Sequence, residues 1–198
     1  MIISKSKKFI FLHIPKTAGS NLRKVLVDYG DVVPEDLLPV YNRNKGHVWH
    51  IKQPYLKTLL APIDLSDYLE FAVVREPLGR WISLYNHSSR RMQWDGFSKF
   101  AMFMASAYRS KKNNHFYHSQ CEWICNPLTG NIRTYRFEDV TGNPADFFTE
   151  LGINETQLGM ADSKDNRLTI NDLTDKEIYF SLDVLSEEYE TLQYQMIY

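Results

Sequence analysis

Residues Lys8 to Leu26, KFIFLHIPKTAGSNLRKVL, change from one backbone period to another within a few positions. Phe9, Ile10, Phe11, Leu12 and Ile14 make a short apolar run rich in aromatic and β-branched residues, the composition of a strand buried on both faces. Leu22, Val25, Leu26 and Tyr29 then recur at i, i+3, i+4 and i+7, which is the period of a helix. The stretch between them, Pro15-Lys16-Thr17-Ala18-Gly19-Ser20, must turn a strand into a helix N-terminus. Such a turn collects backbone N–H groups, the positive end of a helix dipole, one ammonium and two hydroxyls, a combination that suits an anion. Read alone, the same residues equally describe a turn with a Ser or Thr N-cap.

A second stretch shifts that balance. Leu69-Glu70-Phe71-Ala72-Val73-Val74-Arg75 reads as another buried strand, this one ending in a cation. Pro77 suits the first position of the helix that follows, where its missing N–H costs nothing. Leu78, Trp81, Ile82 and Tyr85 form the apolar stripe of that helix, while Arg80, Ser83 and His87 share another face. Arg75, Arg80 and Ser83 are thereby expected in one neighbourhood, as a second anion site.

Further along, Phe97, Phe100, Ala101, Met104 and Tyr108 predict a helix over Gly96 to Ser110, with a short one expected between His115 and Ile124. Ile132 to Phe137 reads as a strand, and Phe147, Phe148 and Leu151 as a helix closed by Gly152. Gly159 to Leu173 is polar and loop-like, and carries Lys164 and Arg167. Ile178, Leu182, Leu185, Tyr189 and Leu192 give a last helix behind Thr174 as N-cap. Strands alternating with helices predict an α/β fold with a central, mostly parallel sheet flanked by helices and ligands at the strand C-termini.

With 198 residues, 43% of them hydrophobic, the chain can bury one good core, so 1–198 is read as a single domain. Its 23 Lys and Arg against 24 Asp and Glu give a formal net charge of -1, which argues against nucleic acid as a partner and makes any cationic site local. No stretch has the length of a membrane span or the layout of a signal peptide, so the expectation is a soluble, cytoplasmic protein. His115, His118, Cys121 and Cys125 could be drawn as a zinc site, but they lack a close Cys pair and would wind around a helix, so no metal is expected.

Two phosphate-like sites on one ligand would suit a nucleotide kinase. Against that, the loop lacks G-x-x-x-x-G-K-[ST], and the second strand ends in Arg75 where a carboxylate would be needed for Mg²⁺. HIPKTAGSN at His13 to Asn21 and FAVVREPLGRWISLY at Phe71 to Tyr85 instead resemble the 5′-phosphosulfate loop and the 3′-phosphate segment of sulfotransferases that use 3′-phosphoadenosine-5′-phosphosulfate (PAPS). The likeness is to the carbohydrate branch, similar to the heparan and uronyl 2-O-sulfotransferases, and extends weakly through YRFEDV at Tyr135 to Val140 and the last helix. Asn21 stands where that branch usually has Ser or Thr, and Glu76 where Asp or Asn is commoner.

The resemblance implies a P-loop-like three-layer fold and a sulfuryl transfer from PAPS to a hydroxyl-bearing acceptor, a carbohydrate. It implies that Lys16 meets the charge growing on the departing nucleotide, that Thr17, Ala18, Gly19, Ser20 and Asn21 hold its 5′ end, and that Arg75 and Ser83 grip its 3′-phosphate. His47 in GHVWH resembles the family's base position, with His50 the alternate and His118 a distant third. Lys164 and Arg167 are expected over the nucleotide, and Gln120 is expected to face the acceptor. A nucleotide kinase and a non-catalytic nucleotide- or glycan-binding module are the alternatives.

Overall fold

A computed structural model describes residues 1–30, 64–89, 92–110, 117–125, 128–159 and 167–196. The chain forms two compact units, Met1–Val74 with Glu122–Met160, and Arg75–Cys121 with Ala161–Tyr198.

The first unit is built on a four-stranded sheet in the order β1 (Ile2–Ser4), β2 (Phe9–Leu12), β3 (Leu69–Val74), β4 (Ile132–Arg136). β1 runs antiparallel to β2, with Ile2 opposite Phe11 and Ser4 opposite Phe9. β2, β3 and β4 are parallel, with Leu12 opposite Ala72 and Val74 opposite Arg136. The mostly parallel α/β class predicted from the alternating periods is therefore what the structure has. β1 is not legible in the sequence, because three residues are too few to display an alternation.

Phe9, Phe11, Phe71 and Val73 point from one face of the sheet into a core shared with Leu22 and Leu26 of α1 (Gly19–Leu26), Val140 of α2 (Phe137–Gly142) and Phe147 and Phe148 of α3 (Pro144–Glu150). Their neighbours along the strands, Ile10, Leu12, Ala72 and Val74, are buried as well, which is why both strands read as continuous apolar runs. Glu70 is the exception in β3. Its buried carboxylate accepts from the Thr129 N–H at 2.9 Å, and so is hydrogen-bonded where an unpaired one would be costly.

The second unit is helical among its described residues. α4 (Pro77–Ser88), α5 (Gly96–Ser110) and α7 (Asp175–Leu192) bury Leu78, Trp81, Phe100, Met104, Leu182, Leu185 and Tyr189 against one another. Pro77 begins α4 as expected. Thr174 caps α7 in a reciprocal box with Glu177, whose carboxylate takes the Thr174 N–H at 2.9 Å. The helix expected between His115 and Ile124 is a single turn, α6 (Cys121–Ile124), whose residues from Glu122 onward belong to the first unit. Among the described residues no helix is long and apolar enough to cross a membrane.

Candidate active site

β2 and β3 are parallel neighbours, so their C-terminal ends leave the sheet at the same edge. The chain continues from β2 into Pro15–Ser20 and from β3 into Arg75.

In the first of these loops Lys16 and Ala18 adopt left-handed backbone conformations, φ 71° and 64°. Left-handed residues spaced this way turn successive N–H groups to one side, as in backbone anion nests. Ala18 is the N-cap of α1 and makes no side-chain capping bond. Its carbonyl accepts from the N–H groups of Asn21 at 2.9 Å and Leu22 at 3.1 Å, while those of Gly19 and Ser20, at the first two helical positions, have no intrahelical acceptor by geometry. No acidic residue stands in the first turn of α1 to neutralise its positive end.

The plain N-cap alternative is thus not what the structure has. Thr17 is 1% exposed and donates its hydroxyl proton to the Ile14 carbonyl at 3.0 Å, which ties the loop to the strand end. In this arrangement Thr17 has its backbone N–H, and not its hydroxyl proton, to offer a ligand. Ser20 is exposed, and Lys16 and Asn21 are half-buried. Gly19 sits against the buried imidazole of His13, which stacks on Phe11 with ring centroids 6.0 Å apart. A Cβ on Gly19 would stand 1.8 Å from Cδ2 of His13, so only glycine fits while that ring is there.

The second unit builds a corner at Arg75-Glu76-Pro77. The Glu76 side chain caps α4, accepting from the Leu78 N–H at 3.2 Å and from the Gly79 N–H, and it also accepts from the Tyr189 hydroxyl. Burial, then the Glu76 carboxylate, push the Tyr189 phenol far above its ordinary range. A carboxylate caps the positive end of α4, whereas the first turn of α1 carries no acidic residue. An anion at this corner would therefore be held by side chains. Arg75 and Ser83, both half-buried, are the two that the sequence picks out, and the Arg75 Nε lies 3.7 Å from where a Cβ on Gly79 would stand.

Two expectations are corrected here. Gln120 does not face an acceptor: it is 0% exposed, and its amide is bonded to the Arg75 backbone and to Glu188. Arg80 does not join Arg75 and Ser83 as a ligand group. It too is fully buried, and its Nη1 donates to the Tyr108 hydroxyl at 3.3 Å, which in turn donates to Glu188 at 3.2 Å. His118 is buried. Arg167 is exposed beside Leu168, whose backbone N–H and carbonyl are both bonded to the Asn86 amide. His47, His50 and Lys164 lie outside the described residues. Among the described residues no three His, Cys, Asp or Glu side chains are grouped as a metal would require.

A protein-family model described as "Sulfotransferase family" matches residues 1–195. The chain belongs to the sulfotransferase family. As a sulfotransferase it is an enzyme that transfers a sulfuryl group, which favours that reading over the kinase and the binding module. It is also similar to the crystal structure of a sulfotransferase from Alicyclobacillus acidocaldarius, with 12% sequence identity over 95% of this chain and 96% of that one and a TM-score of 0.49. No curated protein matches this sulfotransferase.

Proposed function

We propose that this sulfotransferase takes its sulfuryl group from PAPS and delivers it to a carbohydrate hydroxyl, in the manner of the 2-O-sulfotransferase-like branch, with residues 1–198 acting as one catalytic domain. The observation that carries the reading is the loop Pro15–Ser20. It combines two left-handed residues, a helix N-terminus with no side-chain cap and no acid in its first turn, and a lysine. These fit a phosphosulfate, whose oxygens accept hydrogen bonds and carry charge.

When bound, PAPS supplies a sulfuryl group whose bond to the 5′-phosphate oxygen breaks as the acceptor oxygen attacks in line, the bonding pair staying with the phosphate. The Lys16 ammonium is suited to stabilise that growing charge, and the Thr17, Gly19 and Ser20 N–H groups to hold the phosphate, with the Ser20 hydroxyl and Asn21 beside them. Arg75 and Ser83 take the 3′-phosphate, and Lys164 and Arg167 close over the nucleotide. His47, or His50 in its place, accepts the proton that the attacking hydroxyl loses. A sulfuryl group carries about one negative charge, less than a terminal phosphoryl group, and no metal is needed to bring an acceptor oxygen to it.

Labelled PAPS presented with a panel of glycans, sterols and small alcohols tests this reading. Label is expected in a glycan, with one adenosine 3′,5′-bisphosphate released per transfer. Label appearing only in a non-sugar alcohol would overturn the acceptor assignment, and no use of PAPS at all would overturn the donor assignment.

A further inference from the structure

The backbone of Arg75 is held on both sides by one side chain. Its N–H donates to the Gln120 Oε1 at 2.8 Å, and its carbonyl accepts from the Gln120 Nε2 at 2.8 Å. The remaining Nε2 proton goes to Glu188 Oε1 at 2.7 Å. An amide is the side chain that can do this, because it alone offers an acceptor and two donors in one plane. Its orientation is fixed by its surroundings: a backbone N–H demands the oxygen, and a carboxylate demands the nitrogen.

Glu188 is itself anchored. Its Oε2 accepts from the Ser119 hydroxyl at 2.7 Å and the Tyr108 hydroxyl at 3.2 Å, and Tyr108 receives Arg80 and the Trp81 indole, the latter at 3.0 Å. The next residue of α7, Tyr189, donates to Glu76. Adjacent residues of one helix thus secure two consecutive residues of the corner. Core packing would not require this, because buried amides and carboxylates are costly to install and costly to leave half-bonded.

We infer that Gln120, held by Glu188, is a positioning residue that aims the Arg75 guanidinium at the nucleotide's 3′-phosphate, and so sets the enzyme's preference for a 3′-phosphorylated donor. This rests on the role proposed above for Arg75. Pinning the N–H and the carbonyl of one residue fixes the direction of its Cα–Cβ bond, and a charge-assisted contact to phosphate depends on that direction.

The test is calorimetric titration of the full chain with adenosine 3′,5′-bisphosphate and with adenosine 5′-monophosphate, which lacks the group in question. Gln120→Met keeps the side chain's length and removes its polar bonds. Affinity for the bisphosphate should fall about tenfold while that for the monophosphate stays within about twofold, and in an Arg75→Met background Gln120→Met should cost nothing more. Should Gln120→Met not fold, Glu188→Gln keeps an acceptor for the amide and is expected to lose a smaller part of the same selectivity. Equal losses for both ligands, no loss for either, or full additivity with Arg75→Met overturns the inference and leaves Arg75 in its proposed role. An Arg75→Met enzyme that still prefers the bisphosphate as strongly as the unmodified chain overturns both.

Discussion

His13 and Gly19 share a space that admits an imidazole or a side chain at position 19, but not both. Gly19→Ala would drive a methyl to within 1.8 Å of the His13 ring, and overpacking of this kind costs about 1–3 kcal/mol. His13→Ala in the same chain should recover most of that loss, and urea denaturation of the two single variants and the double variant measures the recovery. Losses that simply add would mean that the ring is not what excludes a larger residue. Ala18 stores a smaller strain. A left-handed alanine costs about 1–2 kcal/mol, part of which glycine gives back through its freer unfolded chain, so Ala18→Gly should stabilise by about 0.5–1 kcal/mol. Lys16 shares that conformation, and its place at a proposed phosphosulfate contact gives the strain a use. Lys16→Met should lower kcat by about 10²–10³ with the fold unchanged by circular dichroism; full activity would remove Lys16 from the mechanism.

At the level of elements, the local patterns told most of the story and stopped where contacts became distant. β2 and β3 were legible because apolar runs ending in PKTAGS and in Arg75 state both burial and termination. α4, α5 and α7 were legible from their stripes, and Thr174 from its place ahead of one. α2 was missed because FEDVTG is short and mostly polar, with Val140 its one buried residue. The Gln120 clamp was also out of reach, since its partners lie 45 and 68 positions away in the chain. One signal was available: Glu188 falls between Leu185 and Leu192 on the buried stripe of α7, and a carboxyl at a stripe position announces a buried polar network. Thr174→Ala should destabilise by about 1 kcal/mol through the lost cap. The Thr174 N–H holds the Glu177 carboxyl below its ordinary range, with the Ser98 and Thr174 hydroxyls helping. The stability this gives is fully present above the unfolded pKa and is lost as pH falls through the lower folded value. Thermal melts across that acid window should therefore show the unmodified chain losing more stability than Glu177→Gln, and parallel losses would contradict the assignment.

For the molecule as a whole, a net charge of -1 means that the long-range field does little to gather an anionic donor, so affinity must come from groups at the site. Lys16, Arg75 and Ser83 are the groups proposed for that purpose, and the structure shows what surrounds them: His13 against Gly19 of the loop, Glu76 at the head of α4, and Gln120, bonded to Glu188, on the Arg75 backbone. Saturation with adenosine 3′,5′-bisphosphate at about 100 times its Kd should stabilise the protein by about 2.7 kcal/mol. The measurement closest to the central claim is a crystal structure with that nucleotide bound. Its 5′-phosphate should accept hydrogen bonds from the backbone N–H groups of the Pro15–Ser20 loop, and its 3′-phosphate should meet the Arg75 guanidinium and the Ser83 hydroxyl. A nucleotide seated away from that loop, or one whose 3′-phosphate avoids Arg75, would contradict the donor site and the chemistry built on it.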